Sequence, residues 1–182
     1  MNRRRLLAVS VAGFAACSGC LGESDDSGSN DGDEWDEECS GAFRPEPDEP
    51  DSDDAVSPFE YPDRPESDSD EALLEYVETY ERAMVGNDLI ERHGDALKGY
   101  GLGVIDSELV DREPVSVVRL TYEISDEIQS GVSDAIDAGL SDEKSVKYAV
   151  TSTGIRQAGG DDSEPPDPRE SGQWVACFGS EQ

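Results

Sequence analysis

Apolar residues recur at helical spacing in one stretch of the chain and at alternate positions in several others. Leu73, Val77, Tyr80 and Met84 fall on one helical face, and Leu74, Val85 and Leu89 widen the stripe. Ser67, Asp68, Ser69 and Asp70 offer N-caps, with Asp68 and Glu71 in the Asp-x-x-Glu spacing of a helix start, and Gly94 supplies a stop. The pattern predicts one amphipathic helix from about Asp70 to Arg92. After Gly99 the period becomes two. Val118, Leu120, Tyr122 and Ile124 share one strand face, with Arg119, Thr121 and Glu123 on the other. Val146, Tyr148 and Val150 repeat this opposite Lys147, Ala149 and Thr151, and Tyr100–Val110 and Gln173–Phe178 read as two further strands. Ser125 to Glu143, interrupted by Gly131 and Gly139, reads as a polar loop with some helix in it, and Asp161 to Arg169 as another loop.

The expected fold is therefore α+β: one long helix packed across an antiparallel sheet of about four strands, spanning residues 70–182. Cystatin-like and NTF2-like folds share this order, an analogy from element order alone. Residues 20–69 are mostly Asp, Glu, Ser, Gly and Pro, which predicts a disordered, self-repelling acidic stalk. A calcium loop in it is a poor match. With Gly32 sixth and Glu38 twelfth, Ser27 and Ser29 stand where carboxylates belong.

Residues 1–19 have the pattern of an export signal. Arg3, Arg4 and Arg5 precede the eleven-residue apolar run Leu6–Ala16, too short for a span of about 20 residues. Arg3 and Arg4 followed by Leu6 and Leu7 fit the twin-arginine type. Ser18 and Gly19 leave room for a peptidase before Cys20, the expected site of lipid attachment. Phe14-Ala15-Ala16-Cys17 is an acceptable second lipid box, so Cys17 is the alternative, and a short buried N-terminal helix is the bland reading of the whole run. These residues predict a protein of the cell membrane, lipid-anchored on the extracytoplasmic face.

The cysteines agree with that address. With Cys20 lipidated and Cys17 removed, Cys39 and Cys177 remain, and two cysteines in an exported chain predict a disulfide. Closing so long a loop is worth roughly 5 kcal/mol by chain entropy. Charge adds a solvent. The chain of 182 residues carries 44 acidic and 14 basic residues, and none of the acids precedes Cys20. From Cys20 onward 44 acids face 11 bases, a net of −33. Lys98, Lys144 and Lys147 are the only lysines. Such self-repulsion is costly at low ionic strength and is largely screened near 1 M salt, where the Debye length is about 3 Å. The composition predicts a protein adapted to brine. The rival explanation, a basic partner or collected divalent cations, fits poorly with acids spread over the whole mature chain. Phosphate contacts to nucleic acid are excluded by this sign of charge.

Arg3-Arg4-Arg5-Leu6-Leu7, Ser18-Gly19-Cys20-Leu21-Gly22, the stretch Ala72–Ala83, Arg119-Leu120-Thr121-Tyr122 and Val175-Ala176-Cys177-Phe178 together resemble a group of uncharacterised haloarchaeal exported lipoproteins. The resemblance covers the signal and most of the domain. It implies a surface location and high salt, and it carries no activity with it.

Candidate chemistry is sparse. His93, the only histidine, falls at the helix end, where it reads as a cap rather than a catalyst. Gly99, Gly101 and Gly103 follow a helix and precede a strand, the reverse of a dinucleotide loop, and predict a turn or bulge. No Gly-x-Ser-x-Gly elbow occurs, two cysteines and a distant histidine lack metal-ligand spacing, and Tyr80, Tyr122 and Tyr148 read as core. No catalytic residue, metal or cofactor is assigned. Three functions stay open: a non-enzymatic module binding a small ligand or an envelope protein, a purely structural envelope protein, and a small hydrolase using paired carboxylates. A two-lobed solute binder is disfavoured, because residues 70–182 are too few for two lobes.

Overall fold

The computed structural model describes residues 39, 41–130, 136–160 and 164–179. The twin arginines, Cys17, Cys20 and the stalk up to residue 38 lie outside them. The described residues belong to one compact unit that begins at Glu34.

The amphipathic stripe becomes helix α1, Asp70–His93, within a residue of expectation. Ser69 is its N-cap, accepting a hydrogen bond from the Ala72 amide, and Gly94 ends it at φ 51°, its N–H bonded to the Ile90 carbonyl. A short 3-10 turn, Gly94–Ala96, leads into an antiparallel sheet of six strands: β1 (Leu97–Asp111), β2 (Ser116–Gln129), β3 (Ile136–Leu140), β4 (Lys144–Val150), β5 (Gly154–Gly160) and β6 (Gln173–Cys177). A one-turn helix, α2 (Pro168–Ser171), precedes β6. The spatial order is β1-β2-β4-β5-β6, and β3 continues the β4 side of the long strand β2. Among the described residues no helix is long and apolar enough to cross a membrane.

The strand count of about four is corrected to six. Part of the expected loop from Ser125 to Glu143 is hairpin: β2 runs on to Gln129 and pairs with β3, from Gln129↔Ile136 to Ser125↔Leu140. Ser141 carries the ladder across the break between β3 and β4. Its amide donates to the Ile124 carbonyl at 2.8 Å, and its hydroxyl accepts from the Ile124 amide at 2.9 Å. β5, absent from the expectation, lies between β4 and β6. The alternating glycines of β1 stand in strand, with register shifts at Leu97/Gly99 and Val104/Asp106.

The helix-facing side of the sheet is the row foreseen from the period of two. Val118, Leu120, Tyr122, Val146, Tyr148 and Val150 are buried against Leu73, Val77 and Tyr80 of α1. Each fully buried apolar side chain of this kind contributes about 1.5–3 kcal/mol. The Tyr80 hydroxyl donates to the Val175 carbonyl at 2.7 Å, tying the helix to β6.

The other correction concerns the stalk, because residues 41–69 form an irregular strap along α1. The Phe43 amide donates to the Trp174 carbonyl of β6 at 2.9 Å, and the Val56 amide to the Leu97 carbonyl of β1 at 3.0 Å. Val56 and Phe59 pack on Leu89, Ile90 and Leu97, and Tyr61 packs on the main core. Asn87 holds the strap's backbone from both directions: its Oδ1 accepts from the Phe59 amide at 2.8 Å, and its Nδ2 donates to the Phe59 carbonyl at 3.0 Å. A Cβ at Gly86 would stand 2.6 Å from the Phe59 ring, so the helix gives up a side chain where the strap crosses. The strap needs few apolar residues because helix and sheet already provide a surface, and a handful of anchors suffices. Cys39 and Cys177 are joined at its start, closing a loop across 138 positions, beside Gly154 of β5, whose missing Cβ makes room for the Ala176 carbonyl.

Candidate functional site

The sheet side of α1 buries a carboxylate. Glu81 lies one turn after Val77 and two after Leu73, on the apolar stripe, and is 1% exposed. Three strands bring donors to it. The Tyr122 hydroxyl of β2 donates to Oε1, and the Tyr148 hydroxyl of β4 donates to Oε2. Gln157 Nε2 of β5 donates to Oε2 at 3.2 Å and to the Tyr148 oxygen at 2.8 Å. Tyr148 and Gln157 are register partners across β4 and β5, so the ladder itself aligns this relay. Burial pushes the Glu81 carboxyl above its ordinary range, against the three hydrogen bonds and the more distant charge of Lys144, which pull it down. Burial and the neighbouring carboxylate push both tyrosine hydroxyls up, so they stay protonated donors.

A notch opens beside this cluster. β6 begins opposite Gln157, so the last three residues of β5, Ala158 to Gly160, run on without a β6 partner. The resulting depression, of about 460 Å³, is lined by Glu81, Tyr122, Lys144, Gln157, Ser171 and Gln173 among others. Lys144 is the first residue of β4 and the register partner of Tyr122. Among the described residues it makes no hydrogen bond or ion pair, while Lys98 and Lys147 each hold a carboxylate. Glu81 is the only carboxylate among the described residues lining the notch. A depression with one buried acceptor at its floor, one unpartnered ammonium and several amides and hydroxyls can hold a small polar molecule. Among the described residues it offers no second acid for paired-carboxylate hydrolysis.

A larger cleft, of about 980 Å³, lies between the strap and the end of β6, lined by Arg44, Phe59, Tyr61, Arg64, Asn87 and Phe178 among others. Its size is not matched by available chemistry. Arg44 lies over the Tyr61 ring at 4.7 Å and pairs with Glu46 at 2.8 Å. The Tyr61 hydroxyl donates to the Pro45 carbonyl, and both ends of the Asn87 amide are used on the strap. Arg44, Tyr61 and Asn87 are thus occupied in holding the seam between strap and sheet.

The residues singled out from the sequence fall elsewhere. Cys39 and Cys177 come together in the disulfide. Tyr122 and Tyr148 are core residues that also hold Glu81, while Tyr80 bonds β6. His93 is the last residue of α1, and among the described residues no cluster of His, Cys, Asp or Glu could hold a metal. On the outer sheet face Arg119 and Lys147 stand directly opposite each other, two like charges made compatible by Glu164, which pairs with both. Arg119 also reaches Glu108 across the β1–β2 ladder at 2.5 Å. Glu81, Gln157 and Lys144 were not foreseen as a site. A carboxylate on the apolar stripe of a helix was the available signal for Glu81; nothing in the sequence marks the other two. Comparison of the chain with protein-family models, with curated proteins and with solved structures finds no match.

Proposed function

We propose that this chain is a lipid-anchored protein of the extracytoplasmic membrane face, adapted to high salt, whose domain binds a small polar ligand without transforming it. The observation that carries the ligand reading is the notch: a buried acceptor, Glu81, and an unpartnered ammonium, Lys144, beside the same opening. Buried ionisable groups near an opening are costly to stability and mark sites of use. The address rests on Arg3, Arg4 and Cys20, and the salt reading on the net charge of −33 from Cys20 onward.

The test is the mass of the full protein isolated from the cell envelope at molar salt, recorded under native and denaturing conditions. The denatured mass should match a chain that starts at lipid-modified Cys20. The native mass should exceed it by a small molecule that the Lys144→Met protein does not retain. A chain starting at Met1 without lipid would overturn the address, and equal native masses for wild type and variant, after subtraction of the substitution, would overturn the ligand reading. The salt reading predicts that the melting temperature falls as salt drops from about 1 M to about 0.1 M; a melt unchanged across that range would contradict it.

A further inference from the structure

The two charged groups of the notch are of opposite sign and are not joined to each other. Lys144 and Glu81 line the same depression, yet no ion pair links them, and among the described residues Lys144 has no other partner. In a chain with 44 acidic residues a lysine without a carboxylate is an exception. Seven of the ten other lysines and arginines described from residue 44 onward have carboxylate partners that can be named: Arg44, Arg92, Lys98, Arg112, Arg119, Lys147 and Arg169. At the floor, the two oxygens of Glu81 are unequally used. Oε2 accepts from Tyr148 and Gln157, while Oε1 accepts from Tyr122 alone and keeps room for one more donor. Gln157, Ser171 and Gln173 add neutral hydrogen-bonding groups around the opening.

This arrangement selects by charge. A simple cation would meet Glu81 but also the ammonium of Lys144, and a simple anion would meet Lys144 but also a buried carboxylate in a strongly acidic protein. A molecule with a donor cation at one end and an anion at the other satisfies both and brings no net charge. At molar salt long-range attraction is screened, so recognition depends on contacts made inside a partly buried site, where charges keep their strength. The volume, about 460 Å³, is at the small end of the roughly 300–1,000 Å³ range of ligand pockets. We infer that the notch takes a small zwitterion of α-amino-acid type, its ammonium directed to Glu81 Oε1 and its carboxylate to Lys144. The inference rests on the ligand-binding reading above and gives that ligand a chemical class.

The experiment is calorimetric titration of the full protein in about 1 M salt with the common α-amino acids, beside acetate and methylammonium as the two halves of the zwitterion. At least one amino acid should bind at least about tenfold more tightly than either half, a difference of about 1.4 kcal/mol. Lys144→Met, at a half-exposed position, and Glu81→Gln should each weaken that binding by about tenfold or more. Acetate binding as tightly as any amino acid, and lost in Lys144→Met, would overturn the zwitterion while leaving a ligand site in the notch. Methylammonium doing the same through Glu81 would have the same meaning. Amino-acid binding untouched by both substitutions would overturn the assignment to the notch. No binding by any probe would overturn the zwitterion if the native protein still retains a small molecule, and would take the ligand reading with it if nothing is retained.

Discussion

Helix α1 buries Asn87 on its strap side and Glu81 on its sheet side, at 2% and 1% exposure, and the two are partnered in different ways. Asn87 spends its amide on main chain, donating to one peptide group and accepting from the same residue, so that the strap is held as a neighbouring strand would hold it. Both ends of the amide are engaged on the strap. Glu81 is met by side chains alone, from three strands, and is an ionisable group where a neutral amide or a leucine would fit the stripe. A buried carboxylate without an adjacent cation is a poor device for stability, since desolvation costs more than the hydrogen bonds return. Under the proposed function, the contrast is between a polar group kept for folding and one kept for binding.

The comparison can be broken from the strap side first. Replacing Cys39 and Cys177 by serine releases the strap's start from β6 and should cost about 2–5 kcal/mol in chemical denaturation. Loss of the notch ligand along with that stability would mean the two sides of the helix are not independent. Asn87→Ala strands the Phe59 N–H and C=O and should cost roughly 2–3 kcal/mol, with ligand retention unchanged in the protein that remains folded. An Asn87→Ala protein as stable as wild type would remove the structural half of the contrast.

A smaller effect sharpens the sheet side. Burial holds the Glu81 carboxyl above its ordinary value of 4.5, so between 4.5 and that raised value the folded protein keeps a proton that the unfolded chain releases. Stability from this group is fully present below pH 4.5 and is lost as pH rises through the folded value. Asp111, Asp167 and Glu164 act in the opposite sense. Hydrogen bonds from Arg169 and Lys147 hold them below their ordinary values, and their contribution disappears as pH falls through those lowered values. Between neutral pH and about 4.5 the wild type should therefore gain stability relative to Glu81→Gln. Parallel pH profiles for the two proteins would show that Glu81 is not the group concerned.

The same contrast explains what was legible in the sequence. α1, the rows Val118–Ile124 and Val146–Val150, and the disulfide follow from periodicity and cysteine arithmetic, because each is a repeated or exclusive signal. β5, Gly-Ile-Arg-Gln-Ala-Gly-Gly, buries only Ile155 and Ala158 as apolar side chains, and its small residues carry no strand pattern although it lies inside the sheet. β3 extends the hairpin past the core, with Leu140 exposed at 71%, so its alternation is not tied to burial and its Gly139 reads as a loop. The strap is fixed by scattered anchors, Val56, Phe59 and Tyr61, among acids and prolines, and the surface they fit exists only once helix and sheet have formed. The site is hidden for a related reason. Glu81 could be flagged by its place on the stripe, but Gln157 reaches it from a strand the pattern did not reveal, and Lys144 became notable only through the partner it lacks.

The most direct measurement is the unfolding free energy of Glu81→Gln against wild type at neutral pH in molar salt. An amide of the same shape can accept from one tyrosine and donate to the other, and it removes the cost of a buried charge. If Glu81 is kept for binding, the variant will be as stable as wild type or more stable. A loss of several kcal/mol would instead make the Glu81 cluster a structural pin like Asn87, and the notch would lose its claim to be the site.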